Sequence, residues 1–581
     1  MNSASRELTL WLPEYAFDTH YKQEKYLRLR EGHVKVFRAQ PEVEIGFEPN
    51  WTIDPLKSQT WRLYYHGLTW LLAVAWEIDH GEDIESAQAY LRDVIRSYLR
   101  DNVFAEGTDE MAWDDHAAAD RLTILSYLWL GYLGPASLVE REEIENAAGI
   151  HVQQLLEFYE SERWIASNHG LFHSLALLNA ALVFPDSKWA EKARRSGAEY
   201  LRDTVDAIID RTEGISTEQS SHYHQFALRS LRSMREFLDA NFPDLCEFVA
   251  GVTDKMVDFN LCIRGDRNAM PAIGDSRFAD QIPSDCLTVE PGEAPSAHLE
   301  YIESGGRVGM PFEDLVVYPR TGLAVFREGE PPNAPSRALF VLHPERVGHG
   351  HFDALNITLH LSGQDVLIDS GGPYKYGDSL RFGYFAASRA HNVLLVDGAG
   401  HEAATEICDW RSTKGLHWVT ARHRGYKERI VTRTAVWDPG QLLMVFDGVT
   451  GAGHSSRYDT LWHFSPGTKL LESQDGDGFS TVYERGDGVA TSKMLATTEI
   501  TSHVVEGLRE PHPQGWVTEE MEEMRPAPVQ IVSAQADWFQ SVTVFGEWVN
   551  HVRIERSEDG LCVDTGDARI VVDSVQGLRV A

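Results

Sequence analysis

Along the first half of the chain, apolar residues return every three or four positions. After Ser58 the residues Trp61, Tyr64, Tyr65, Leu68, Leu71 and Leu72 form such a run, which is the spacing of a buried stripe on a helix. Similar runs occupy roughly 83–100, 116–131, 137–159, 169–183, 188–209, 220–239 and 244–263, with short connections such as LGPAS and FPDS between them. Successive amphipathic helices joined this closely predict antiparallel helical hairpins, curled into an incomplete α/α toroid. Between about 266 and 315 the periodicity fails. Pro271, Pro283, Pro291, Pro295 and Pro311, with Gly305 and Gly306, predict an irregular linker there. Beyond 316 the pattern changes to short β-branched runs: TGLAVF, ALFVLH, NITLHL, DVLID, HNVLLVDG, HWVTA, IVTRTAVW and LLMVFDGV. Turn signals such as SGQD and DPGQ separate them, which predicts an antiparallel β-sandwich. The expected fold is therefore multidomain α+β, with an α/α toroid over residues 1–305 and an antiparallel β-sandwich over 306–581.

Composition narrows the function more than the fold. At 581 residues, 43% hydrophobic and 24% charged, the chain is ordinary globular protein too long for a single core. A formal net charge of −35 argues against nucleic acid or an anionic membrane as partner. It leaves room for a polyanionic substrate, because Arg, His and Asn can gather locally. The 16 Trp and 20 Tyr suit a sugar-binding cleft, although helix packing is the commoner use of Trp. Cys246, Cys262, Cys286, Cys408 and Cys562 are scattered with no CxxC pair, which reads as reduced thiols. MNSASRELTLWLPEY has no basic region leading into a long apolar core, and no window approaches the ~18 apolar residues of a membrane span. A cytoplasmic location and no membrane partner are the expectations; a homodimer is left open.

The densest polar cluster is GHGHFDALNITLHLSGQDVLIDSGG. His349 and His351 would share one side of an extended strand, Asp369 would return beside them after the SGQD turn, and His391 would open the next strand. Two imidazoles and a carboxylate suit Zn²⁺; unrelated loop residues making ordinary hydrogen bonds are the plainer alternative. In the helical half, Asn168 precedes an apolar run in SNHGLFHSLALL and reads as an N-cap. EGISTEQSSHYHQFAL crowds Glu213, Glu218, His222, Tyr223 and His224 into a loop entering a helix. WDDHAAADRL places Asp114, Asp115, His116 and Arg121 at a helix start, where the dipole accounts for the acids.

Taken in order, these stretches resemble the heparinase II/III-like polysaccharide lyases. The matching motifs are Asn168-His169-Gly170, Gln219-Ser220-Ser221-His222-Tyr223-His224, His349-Gly350-His351-Phe352-Asp353, Asp369-Ser370-Gly371-Gly372 and Ala390-His391-Asn392, with YPRTGLAVFR as the entry strand of the sandwich. The resemblance spans roughly residues 50–470 and implies β-elimination beside a uronic acid, giving 4,5-unsaturated ends. It implies that Asn168 and His349 neutralise the substrate carboxylate, that His169 contacts it or acts as base for one epimer, and that Tyr223 is general acid and base. It further implies a structural zinc held by His351, Asp369 and His391, with Asp353 in support, and an active site between the two domains. Arg121, Glu218, Tyr376 and Arg389 are the expected substrate-binding residues, the two arginines as forks for carboxylate or sulfate. The few Lys and Arg near the motifs lean away from heavily sulfated heparin.

Two other readings remain open from sequence. One is an α/α-toroid glycoside hydrolase using carboxylates such as Asp115 and Glu218. The other is a non-catalytic protein that binds acidic polysaccharide.

Overall fold

The computed structural model describes residues 8–580 except 39, 106–108, 134–137, 162–166, 291–294, 329–335, 374, 376, 414, 440, 452–453, 476–477, 486–487, 521–522, 558–559 and 574–576. The chain divides into two compact units: Met1–Ile209 with Ala227–Thr253, and Asp210–Phe226 with Asp254–Ala581.

The first unit is helical. Ser58 accepts a hydrogen bond from the Trp61 amide and so caps the helix Gln59–Gly67, satisfying one of the donors every helix start leaves open. The predicted runs become the helices Ile84–Tyr98, Asp115–Gly131, Leu138–Tyr159, His169–Val183 and Ala190–Ile208. Glu14–His20, Gln23–Arg30 and Leu72–His80 are helical as well. His169–Val183 packs against both Ala190–Ile208 and Asp115–Gly131, and Gly170 allows the first of these approaches: a Cβ there would run into the Thr204 side chain. Much of the aromatic content is core: Trp61 stacks on Tyr65 with ring centroids 4.7 Å apart, and Trp51 meets Tyr98 edge-on at 4.8 Å.

The second unit is built on antiparallel sheets. A five-stranded meander runs Leu315–Tyr318, Leu323–Glu328, Ser336–Val341, Ile357–Leu361, Gln364–Leu367. An eight-stranded sheet begins with the hairpins Thr405–Thr413, Leu416–Tyr426, Arg429–Asp438 and Leu442–Gly451. It continues through Phe539–Gly546 to Gly488–Ala496, Gly478–Arg485 and Lys469–Asp475. The acidic stretch after 470, which carries no recognisable motif, thus supplies strands at one edge of this sheet. Leu394–Val396 lies in a separate four-stranded sheet with Ser456–His463, Pro528–Ala536 and Ile500–Glu506.

The LLMVF part of the run LLMVFDGV is apolar at every position because its strand is buried on both faces. Leu443 and Val445 point into a core shared with Phe326, Phe340, Trp437 and Trp462. Leu442, Met444 and Phe446 point the other way, against Leu561, Val563 and Ile570 of a C-terminal four-stranded sheet. Period-two alternation places successive side chains on opposite faces, and two cores in place of one remove the usual polar partner.

Candidate active site

In the second unit, three stretches remote in sequence cross closely. The His349 amide donates to the Glu218 carbonyl at 2.9 Å, and the Asp275 amide donates to the His349 carbonyl at 2.9 Å. Gly274 lies between them with φ +59°, and a Cβ there would strike the carbonyl oxygens of both Gln219 and His349. That conformation and that closeness both require glycine. Gln219 locks the crossing from its side chain, accepting from the Val347 amide at 3.0 Å and donating to the Glu345 carbonyl. Ser220 accepts from the Tyr223 amide at 3.2 Å at the start of the helix Ser221–Ser233, and its hydroxyl donates to the Asp275 carbonyl at 2.9 Å.

This framework brings Tyr223 and His349 together. Their rings stack with centroids 3.4 Å apart and planes within 6°. His349 donates from Nδ1 to Asp275 Oδ2 at 2.9 Å, and Arg381 donates to the same oxygen at 2.8 Å. Asp275 is only 2% exposed. Burial would raise its carboxyl, but the hydrogen bonds from His349 and His351 and the Arg381 charge hold it well below the usual carboxylate range. The two other side chains crowded around Tyr223 point to different tasks. His222 donates to Asp280 at 3.1 Å. His224 is buried, accepts from the Ser216 amide and donates to the Met256 carbonyl, and burial lowers it to about 4.

Asp275 is the residue that sequence reasoning missed. It lies in IGDSR, inside the segment read as linker. Its partners are 74, 76 and 106 residues away, so no local pattern announces it.

His351, Asp369 and His391 are all buried and each brings one donor atom to within 4.8 Å of the others. His391 donates from Nδ1 to Asp369 at 2.9 Å, and the Asn356 amide nitrogen also donates to Asp369, at 2.5 Å. Among the described residues, His351 Nδ1 and His391 Nε2 are buried with no hydrogen-bond partner, as is Asp353 Oδ2. Orphaned ring nitrogens of this kind are costly unless something binds them, and the donor set is one that holds a metal ion. The three do not come from adjacent strands, as the spacing had suggested. His351 precedes Ile357–Leu361, Asp369 follows Gln364–Leu367, and His391 leads into a strand of another sheet. Asn392 joins them: its side chain donates to the carbonyls of Ile357 and Ile368 and accepts from the His463 amide. The buried Arg433 pairs with Asp447 and donates to the carbonyls of Leu355 and Asn392.

In the first unit, Asn168 occupies the N-cap position of His169–Val183, yet its conformation is helical and its side chain makes no capping hydrogen bond. The capping reading therefore fails; the side chain is 5% exposed. His169 Nδ1 lies 3.3 Å from Asp115 Oδ2, and His173 Nε2 lies 3.3 Å from the same oxygen. Asp115 is thus a partner of histidines, while Asp114 caps the helix by accepting from the amides of His116 and Ala117.

Four expected substrate-binding residues fare differently. Arg121 has no exposed surface. It donates to His151 Nε2 at 2.7 Å and to the carbonyls of His66 and Ala112 at 2.8 and 2.7 Å, and it stacks on Tyr98 and Trp113. A guanidinium with no exposed surface, hydrogen-bonded to core groups, is a structural residue and not the expected substrate contact. Glu218 is 3% exposed, and what it offers His349 is a backbone carbonyl. Arg389 is half-buried, and Tyr376 falls outside the described residues. Close to His349, the guanidinium groups of Arg346 and Arg381 both lie over the ring of Phe382, at 5.9 and 4.9 Å, and Phe382 is 55% exposed. No described helix is long and apolar enough to cross a membrane.

Comparison with known proteins agrees with this architecture. The heparinase II/III N-terminus model matches residues 25–286, and the heparinase II/III-like, C-terminal model matches residues 311–554. A heparin-sulfate lyase of Bacteroides stercoris is 18% identical over 481 residues, covering 78% of this chain and 71% of that protein. The crystal structure of a heparinase III superposes with a TM-score of 0.75 at 17% identity, over 99% of this chain and 94% of that one. A heparan sulfate lyase from Pedobacter heparinus gives 0.67 at 16% identity, over 98% and 91%. Two family models in the right order, between them matching most of the chain, establish the kinship: the chain belongs to the heparinase II/III-like family of polysaccharide lyases.

Proposed function

We propose that this protein cleaves a uronic-acid-containing polysaccharide by β-elimination, leaving a 4,5-unsaturated uronate at the new end. The observation that carries the reading is the stacked pair of Tyr223 and His349, with His349 held by Asp275. The proton at C5 of a uronate is too weakly acidic to leave while the neighbouring carboxylate keeps its full charge. Hydrogen-bond donors on that carboxylate lower the barrier by stabilising the charge that develops there. His349, whose Nδ1–H is held by Asp275, becomes such a donor when its ring takes a second proton on Nε2, and the family resemblance gives Asn168 the same role. His169 contacts the carboxylate or serves as base for one epimer. Tyr223 takes the C5 proton and returns a proton to the departing C4 oxygen.

On the substrate side, the exposed Phe382 ring lies beside the guanidinium groups of Arg346 and Arg381, an aromatic surface with cationic neighbours suited to an acidic sugar. The heparin-sulfate lyase relative makes heparan-type polymer the first substrate to try. His351, Asp369 and His391 would hold zinc, which supplies structural fixation of the loops carrying His349 and His391.

The test is a panel of uronate polysaccharides, read by the ultraviolet absorbance of the unsaturated product. Hydrolysis of the same polymers yields reducing ends without that absorbance, and simple binding yields neither. Tyr223→Phe is expected to lose about 10²–10⁴-fold in rate, the span of general acid–base catalysis. Wild-type cleavage without the ultraviolet signal, or a fully active Tyr223→Phe, overturns the reading.

A further inference from the structure

The two histidines of His349-Gly350-His351 meet on one carboxylate. Asp275 Oδ2 accepts from His349 Nδ1 at 2.9 Å, and Asp275 Oδ1 accepts from His351 Nε2 at 3.1 Å. Being deprotonated and buried, the carboxylate acts only as an acceptor, so each contact fixes a ring tautomer. His349 must carry its proton on Nδ1, and Nε2 is the nitrogen not committed to Asp275. His351 must carry its proton on Nε2, and its Nδ1 is the buried, unpartnered atom beside Asp369 and His391. Arg381 donates to Oδ2 at 2.8 Å from a third direction and supplies a compensating charge.

We propose that Asp275 is a positioning residue that ties His349 to the metal site, one carboxylate setting the tautomer and orientation of both imidazoles. It rests on the reading of His349 as a substrate-facing group. A carboxylate behind a metal-bound histidine is a common device for orienting the ligand. Here the same carboxylate continues to a second histidine, which stacks on Tyr223. The coupling explains the H-x-H spacing without making both histidines ligands. It also gives a structural ion an influence on the reaction site, through the ring that Asp275 holds. An Asn at 275 has one accepting oxygen in place of two, so it cannot receive His351, His349 and Arg381 together.

The experiment uses the full chain with ¹⁵N-labelled histidine, reading the Nδ1/Nε2 tautomer of His349 by NMR, the signal being assigned by its loss in His349→Gln. Metal content and steady-state kinetics are measured on the same samples. Wild type is expected to show His349 in the Nδ1–H form. Asp275→Asn should move that signal and lower kcat by about 10–100-fold, the usual span for a group behind a metal ligand, with KM changed less than about threefold. Asp275→Glu, which keeps a carboxylate, should retain the Nδ1–H form. Chelating the metal from wild type should disturb the His349 signal without any substitution, so the proposal stays testable if Asp275→Asn fails to fold. A His349 signal unchanged by both Asp275→Asn and chelation overturns it. Should no polymer yield an unsaturated product, the lyase reading fails, while the NMR arm still decides the coupling.

Discussion

In the first unit Asp115 lies between His169 and His173; in the second Asp369 lies beside His351 and His391. Both sets bring their donor atoms within 4.8 Å of one another, yet their surroundings differ. The side chains of Asp115 and His169 are 21% and 38% exposed, whereas those of Asp369 and His391 have no exposed surface. His173 spends Nδ1 on the Tyr200 hydroxyl at 2.8 Å and turns Nε2 towards Asp115. Burial raises the Asp115 carboxyl, but the two histidines outweigh it and hold it well below the usual range. One buried nitrogen of that set, His173 Nε2, makes no hydrogen bond among the described residues, but it faces the Asp115 carboxylate at 3.3 Å. In the second set two rings, those of His351 and His391, each keep a buried nitrogen that makes no hydrogen bond among the described residues. The difference teaches that residue types and spacing do not by themselves single out a candidate metal site; complete burial with uncommitted nitrogens on more than one ring is the sharper mark.

The largest effect expected from this contrast is on Asp369→Ala. Breaking a buried charged network costs about 3–5 kcal/mol, and metal analysis should show the ion gone. Asp115→Ala should leave metal content at the wild-type level. Equal metal loss in the two variants would erase the distinction.

Histidines with no carboxylate hydrogen-bonded to the ring extend the comparison. Burial, with Arg121 adding to it, lowers His66 to about 4 and His151 to about 3, and burial alone lowers His224 to about 4. The unfolded chain binds these protons near pH 6.5, and the folded protein resists until the pH is far lower. Stability therefore rises with pH across this window: it is intact above about 6.5 and declines as the pH falls towards 4, by about 1.4 kcal/mol per unit for each histidine. Urea midpoints from pH 7 down to 4.5 should fall, and less steeply in His151→Gln. Parallel curves would show that His151 is not one of the groups responsible.

A smaller effect is expected at Asp115→Asn. Weakening the hold on His169 should lower the rate about tenfold, within the range for groups that orient a functional histidine, with the metal retained. Smallest is the contrast between two helix starts. Ser58→Ala removes a cap and should cost about 1 kcal/mol. Asn168→Ala removes none, so it should lower activity with little change in melting temperature. A melting temperature that drops as far as in Ser58→Ala would return Asn168 to a capping role.

Most of the helices and the change to strands were readable because each depends on local periodicity: Trp61 and Tyr65 declare a helix face wherever the rest of the chain goes. The order of the motifs located Tyr223, His349 and the three metal-ligand candidates. What stayed hidden depends on partners far along the chain. Arg121 looked like a free cation at a helix start, and only its contacts with His66, Ala112 and His151 reveal a core residue. Asp275 sat in a stretch without periodicity, so nothing local separated it from linker. The C-terminal sheet over Arg553–Val580 was unreadable for a different reason: its apolar residues cover a face that a simple sandwich would leave wet.

The crossing of Gln219, Gly274 and His349 bears on how this gene can be cut. A fragment starting after the proline-rich stretch would encode His349, His351, Asp369 and His391 and would lack Gln219, Ser220, Tyr223 and Asp275. It would carry the metal-site sequence without the side chain that orients one of its imidazoles, and the loop over Glu345–Val347 would lose the amide that pins it. Shuffling sandwich domains between relatives should therefore work best when the Gln219–Tyr223 and Gly274–Ser276 stretches travel with them as one inheritance unit.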